Sequence, residues 1–158
     1  RYMATLTTNK NFLSPVGFQF KVDSTRYPNL EYFAVACTLP GISMTPTVTP
    51  YKGVNLQFTS DRLNFQPLDL RMNITENLDN YIETFNWMHD LIQTENPEDL
   101  KADATLLILS SHNNVVREEE FNGVFPISMS PIEFDAQAES INYVQMDVSF
   151  SYTYFQFK

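Results

Sequence analysis

Two histidines, one cysteine and nineteen carboxylates are the residues with chemistry to offer in this 158-residue chain. His89 precedes Asp90 in a stretch of helical pattern. A metal site there would need a second histidine four residues away, and the sequence has none. Cys37 ends the apolar run Ala34–Val35–Ala36, the setting of a small buried hydrophobe rather than a nucleophile. Carboxylates such as Asp61 with Glu76, or Glu120 with Glu133, have no spacing that ties them to a cleft for general acid–base work. Glu118–Glu119–Glu120, six residues past His112, reads as a solvated acidic stretch without the ligand spacing of a calcium loop. The four separated glycines, Gly17, Gly41, Gly53 and Gly123, form no phosphate loop, and no G-x-S-x-G elbow occurs. Asn73–Ile74–Thr75 matches a glycosylation acceptor but carries no weight without a secretion signal. The expectation is a protein with no catalytic residue, no metal and no cofactor.

The totals are those of a folded chain with a sizeable core: 43% hydrophobic, 18% charged and 14% aromatic, the last favouring β structure. A lone cysteine allows no internal disulfide. No apolar run approaches the roughly 20 residues that span a bilayer. "RYMATLTTNKNF" lacks the apolar region of a secretory signal, so neither leader nor membrane anchor is expected. The net charge is −9, and the ten basic residues are scattered singly, which argues against nucleic-acid binding by attraction.

The elements that must position these side chains are mostly strands. Residues 1–16 read as a loose N-terminal arm. Gly17–Asp23 alternates Phe18, Phe20 and Val22 against Gln19, Lys21 and Asp23. "STRYPN" reads as a turn and "LEYFAVACTLP" as a second strand, the two strands forming a hairpin. Residues 41–67, with Pro46, Pro50 and Pro67, predict a long irregular excursion with short strands. Leu68–Thr75 alternates again. "NLDNYIETFNWMHDLIQ" predicts a helix whose apolar stripe is Leu78, Tyr81, Ile82, Phe85, Met88, Leu91 and Ile92, capped by Thr75 or Asn77. Ala104–Ser111 is a compact apolar strand. Gly123, Pro126 and Pro131 are expected to break residues 112–140 into short pieces.

The chain closes on "INYVQMDVSFSYTYFQFK", Ile141–Lys158. Val144, Met146, Val148, Phe150, Tyr152 and Tyr154 alternate with Tyr143, Gln145, Asp147, Ser149, Ser151 and Thr153, a two-faced strand more than twice the usual length of about 5–6 residues. One helix cannot cover several strands on both faces. The expected class is therefore mainly β (α+β), an antiparallel sandwich or barrel with one flanking helix.

Several weak motifs occur in one order: the "LPG" turn at Leu39–Gly41, Asp61–Arg62 before an alternating strand, Phe85 and Trp87 in the helix, and Phe125–Pro126 before the last strand. From about residue 14 onward this series resembles the tail tube protein of contractile-tailed, T4-like bacteriophages, a fold shared by phage and secretion-system tubes. The 95–120 stretch matches poorly. The resemblance implies one tail-tube-like domain over residues 1–158, whose copies close into rings, six to a ring, that stack into a hollow tube within the phage tail, assembled in the host cytoplasm. Its partners would be itself, tail sheath and baseplate proteins, and genomic DNA in transit.

On that reading the polar faces of two strands line the lumen: Asp69, Arg71 and Asn73, with Gln145, Asp147, Ser149, Ser151 and Thr153. An uncharged or acidic wall lets a polyanion slide, where lysine and arginine would hold it. A long undefended edge strand also invites pairing between subunits, although a strand central in its own sheet would leave no edge to pair. Within the 41–67 excursion, Ile42, Met44, Val48 and Tyr51 are the expected contacts between neighbouring subunits; the alternative is a mobile surface loop. Baseplate-hub, tube-initiating and tube-terminating proteins of the same fold remain alternatives, as does a monomeric β-barrel that binds an apolar ligand.

Overall fold

The computed structural model describes residues 4–8, 11–22, 26–139 and 142–158. Asp23, Ser24, Thr25, Ser140 and Ile141, together with residues 1–3, 9 and 10 of the arm, lie outside the described residues. The elements run β1 (Phe18–Lys21), α1 (Pro28–Tyr32), β2 (Ala34–Thr38), β3 (Ile42–Ser43), β4 (Thr47–Tyr51), β5 (Val54–Phe58), β6 (Asn64–Phe65), β7 (Leu68–Asn73), α2 (Asp79–Gln93), β8 (Ala102–Leu109), β9 (Val115–Met129), β10 (Gln145–Ser151) and β11 (Tyr154–Phe157). A 3-10 turn, Pro97–Leu100, leads into β8. The architecture is mostly β, with antiparallel pairing and one main helix, as the alternation implied.

The main sheet has the order β1-β8-β9-β10-β7-β2, with β11 also on β9. β1 and β2 are thus at opposite ends of the sheet and do not form the expected hairpin. The reason lies between them. Pro28 opens a short helix, where its missing N–H costs nothing, and α1 takes up Leu30 to Tyr32 from the expected second strand. Leu30 is fully buried under the sheet.

β9 runs unbroken through Gly123 and Pro126, where breaks were expected. Gly123 takes φ +68°, available to glycine without strain, and bends the strand instead of ending it. The first half of β9 pairs with β8 and β11, and the second half with β10. Pro126 has no N–H for the ladder, and beside it the register of β10 slips between Ser149 and Phe150.

The last strand bends at the same level. Met146, Val148 and Phe150 point into the core on β10, but after Thr153 the phase changes: Phe155 packs on the core and Tyr154 is exposed. The sheet therefore folds over on itself and encloses Phe20, Leu106, Phe121, Leu68, Leu70 and Met72.

Helix α2 closes the open side. Trp87 is buried, stacks on Tyr27 at 4.0 Å and lies 6.0 Å from Phe150. Its indole N–H donates to the Leu100 carbonyl at 2.8 Å, which satisfies the one polar atom the ring brings inside. The Asn29 amide donates to Glu83 at 2.7 Å and ties α1 to α2. The N-cap position of α2 is Leu78, at φ 60° and without a side-chain cap, so neither Thr75 nor Asn77 stands there; Thr75 Oγ1 still accepts the Asp79 N–H at 2.9 Å from outside the helix.

Candidate assembly surfaces

The polar face of the β7–β10 pair is built by register. Asn73 stands opposite Gln145, Arg71 opposite Asp147, and Asp69 opposite Ser149. Their apolar neighbours Leu68, Leu70, Met72, Met146, Val148 and Phe150 are buried beneath, so period-2 alternation leaves the six polar side chains on the outside. Each pair is joined. Gln145 Nε2 donates to Asn73 Oδ1 at 3.1 Å, and Ser149 Oγ donates to Asp69 Oδ1 at 2.6 Å. Arg71 donates to both oxygens of Asp147, at 2.8 and 3.4 Å. The Asp147 carboxylate favours the charged guanidinium, raising the Arg71 pKa above its ordinary value. Asp147 is also held by its backbone, whose N–H donates to Ser130 Oγ at 2.9 Å.

The surface is an ordered polar ladder, and its one cation is answered by a carboxylate directly across. Ser151 continues the line past the end of β7, opposite Phe125. Thr153 does not join it. It sits at the bend between β10 and β11, where its N–H donates to the Asn122 carbonyl at 2.9 Å.

The second surface is the β4–β5 hairpin. Lys52 and Gly53 both take positive φ, 47° and 83°, the two-residue turn that matches strand twist. Thr47 faces Phe58, Thr49 faces Leu56 and Tyr51 faces Val54. One side of this ribbon therefore carries Tyr51, Val54, Leu56 and Phe58 together, and all four are exposed. Val48 projects from the other side, opposite Gln57. Ile42 and Met44 are exposed at the root of the excursion. Val54, Leu56 and Phe58 alternate with Asn55 and Gln57, but the run is short and lies in a proline-interrupted segment that reads as irregular; the alternation together with the Lys52–Gly53 turn signal is what could have found them.

The residues with chemical potential are not gathered. Among the described residues no group of histidine, cysteine and carboxylate side chains could hold a metal ion. Asp61 pairs loosely with Arg62 at 3.9 Å, and Glu120 with Lys158 at 3.5 Å. Burial pushes the Cys37 thiol up to about 12, with Glu119 and Asp69 adding to it, so it stays protonated and unreactive.

Glu119 is a correction to the solvated acidic run. It is fully buried, on the inward phase of β9, and neither carboxylate oxygen has a hydrogen-bond partner among the described residues. Burial raises its pKa to about 7. The same alternation that leaves its neighbours Glu118 and Glu120 half-buried drives Glu119 inward, and three like letters in a row concealed it.

Comparison with solved structures identifies the architecture. The chain matches the PVC sheath–tube complex of an extracellular contractile injection system in its extended state, with TM-score 0.71 at 15% identity, over 98% of this chain and 99% of that one. The chain has the tail-tube fold. The same fold matches the tube-terminating cap of the anti-feeding prophage, with TM-score 0.70 at 12% identity over 98% and 95% of the two chains. It also matches Hcp1 from Flavobacterium johnsoniae, with TM-score 0.55 at 13% identity over 89% and 93%. No protein-family profile and no curated protein matches by sequence. Tube, baseplate, cap and Hcp proteins of contractile injection systems thus share this tail-tube fold. Among the described residues no helix is long and apolar enough to cross a membrane.

Proposed function

We propose that this chain is the repeating, non-enzymatic subunit of a phage tail tube, closing with copies of itself into rings, six to a ring, that stack around a lumen. The observation that carries the reading is the β4–β5 hairpin. A two-stranded ribbon is marginal by itself, and this one holds Tyr51, Val54, Leu56 and Phe58 on one uncovered side. Such a side is stable in water only when another surface takes it, and stacking copies supply that surface. Ile42, Met44 and Val48 complete the contact on the flanks of the same excursion.

The ladder supports the other half of the reading. With Asn73, Asp69, Gln145 and Ser149 neutral or acidic and Arg71 held by Asp147, this wall offers DNA no free cation among its paired residues. Ser151 extends the wall, and Thr153 marks its margin at the bend. Sheath and baseplate proteins are the partners, in a tail built in the host cytoplasm. A cap or baseplate ring is the second reading, because a tube-terminating cap shares the fold. It predicts rings that do not stack.

Removal of Thr45–Thr49 tests the role of the hairpin. The altered chain folds, because among the described residues β4 pairs with β5 and no other strand, and it forms rings that fail to stack. Normal stacking would reject the hairpin as the contact between rings.

A further inference from the structure

Helix α2 is turned partway from the orientation its sequence predicts: Tyr81 and Leu91 of the expected stripe pack against the core, but others do not. Asn80 and Thr84 are fully buried beside Trp87, while Ile82, Phe85 and Ile92 are 48%, 53% and 85% exposed. The buried polar groups are satisfied: Asn80 Nδ2 donates to the Asn73 carbonyl at 2.6 Å, and Thr84 Oγ1 to the Asn80 carbonyl at 3.0 Å. Ile82, Phe85, His89 and Ile92 follow offsets of three, four and three, so they form one continuous outward stripe. Phe85 and His89 stack at 6.1 Å, and Gln93 reaches His89 at 3.4 Å, which orders the middle of the stripe.

Along its own helix and flanks the charge has one sign. Between Glu76 and Glu95 the chain holds Glu76, Asp79, Glu83, Asp90 and Glu95, and neither lysine nor arginine. Asp79 and Asp90 are exposed along one flank of the stripe. Position matters as well. Trp87, on the opposite side of the helix, packs towards Phe150 of β10, whose other face carries the ladder. Stripe and ladder therefore look away from each other across the core.

We propose that the Ile82–Phe85–His89–Ile92 stripe docks a segment of a different polypeptide, an apolar ridge edged with lysine or arginine, on the outside of the assembled ring. The charge selects this occupant: a second copy would bring its own acidic flank against the first, whereas a basic edge gains attraction and orientation. The outside placement rests on the ring reading; the stripe and its charge do not.

Two synthetic amphipathic helical peptides with the same leucine ridge, one edged with lysine and one with glutamate, test the proposal on the full chain by fluorescence anisotropy. The lysine peptide binds, binding weakens with added salt, and Phe85→Ser or Ile92→Ser each weakens it about tenfold. Both side chains are exposed, so neither change unfolds the protein. Val115→Ser, exposed at the start of β9, leaves binding unchanged. Equal binding of both peptides, or unchanged binding to both α2 variants, overturns the proposal. Electron microscopy of the same variants separates the two readings. Loss of rings in Phe85→Ser alone makes the stripe a contact between copies and overturns the proposal. If the wild type forms no rings but the peptide pattern holds, the ring reading fails and the docking stripe stands.

Discussion

Arg71 and Asp147 stand directly opposite each other on β7 and β10, with the guanidinium nitrogen 2.8 Å from the carboxylate. The pair occupies the middle rung of three, between an amide–amide and a hydroxyl–carboxylate rung. The one cation of the ladder is thus spoken for, and the carboxylate of Asp69 is the charge left over.

Lysine at both acidic positions reverses that sign. In Asp69→Lys with Asp147→Lys, Arg71 meets a like charge across the strands, costing roughly 0.2–1 kcal/mol, and the fold survives. Tubes of the double variant retain labelled DNA in a sedimentation assay at low salt and release it at high salt, whereas wild-type tubes retain none. Equal retention by both would remove the wall from the account.

Glu119 gives a pH dependence of known sign. Its pKa is raised by burial from 4.5 to about 7 in the folded protein. Its contribution is fully present below about pH 4.5 and is lost as pH rises to about 7, on the order of 3 kcal/mol at 1.36 kcal/mol per unit. Glu119→Gln, which cannot ionise, flattens this slope and is the more stable protein at pH 8. Urea melts across the range check it, and parallel curves for the two proteins would contradict it.

Trp87 is the link between α2 and the sheet. Trp87→Ala removes the stack on Tyr27, leaves the Leu100 carbonyl without its donor and opens a cavity, at a cost of about 3–5 kcal/mol. Phe85→Ala, two residues away and exposed, costs far less. Denaturant midpoints of the two variants measure the difference.

Gly123 and Gly53 both take positive φ, so alanine at either costs about 1–2 kcal/mol of backbone strain. At Gly123 the added methyl would also lie 3.1 Å from Thr153 Oγ1, while at Gly53 nothing lies within 4 Å. Gly123→Ala is therefore the more destabilising change, and thermal melts of both variants rank them.

The ladder was legible because period-2 alternation assigns faces without any tertiary information. Leu68–Asn73 and Gln145–Ser151 show it cleanly, and the bend after Ser151 is where it stopped working. Helix α2 was legible as a helix but only partly in its phase: Tyr81 and Leu91 face the core as expected. Hydropathy places Ile82, Phe85 and Ile92 inside, and only the hydrogen bonds of Asn80 and Thr84 explain why the helix buries those two instead. The pairing of β1 with β8 and of β2 with β7 joins residues far apart in the chain, and no local signal encodes it. Glu119 needed the facing of β9, which adjacent glutamates do not reveal.

Negative-stain electron microscopy of the purified chain at high concentration, alone and with tube seeds, shows whether copies of this chain build a tube. Hollow rings that stack into tubes are the expected result. Uniform monomers that remain unassembled with seeds present would contradict it.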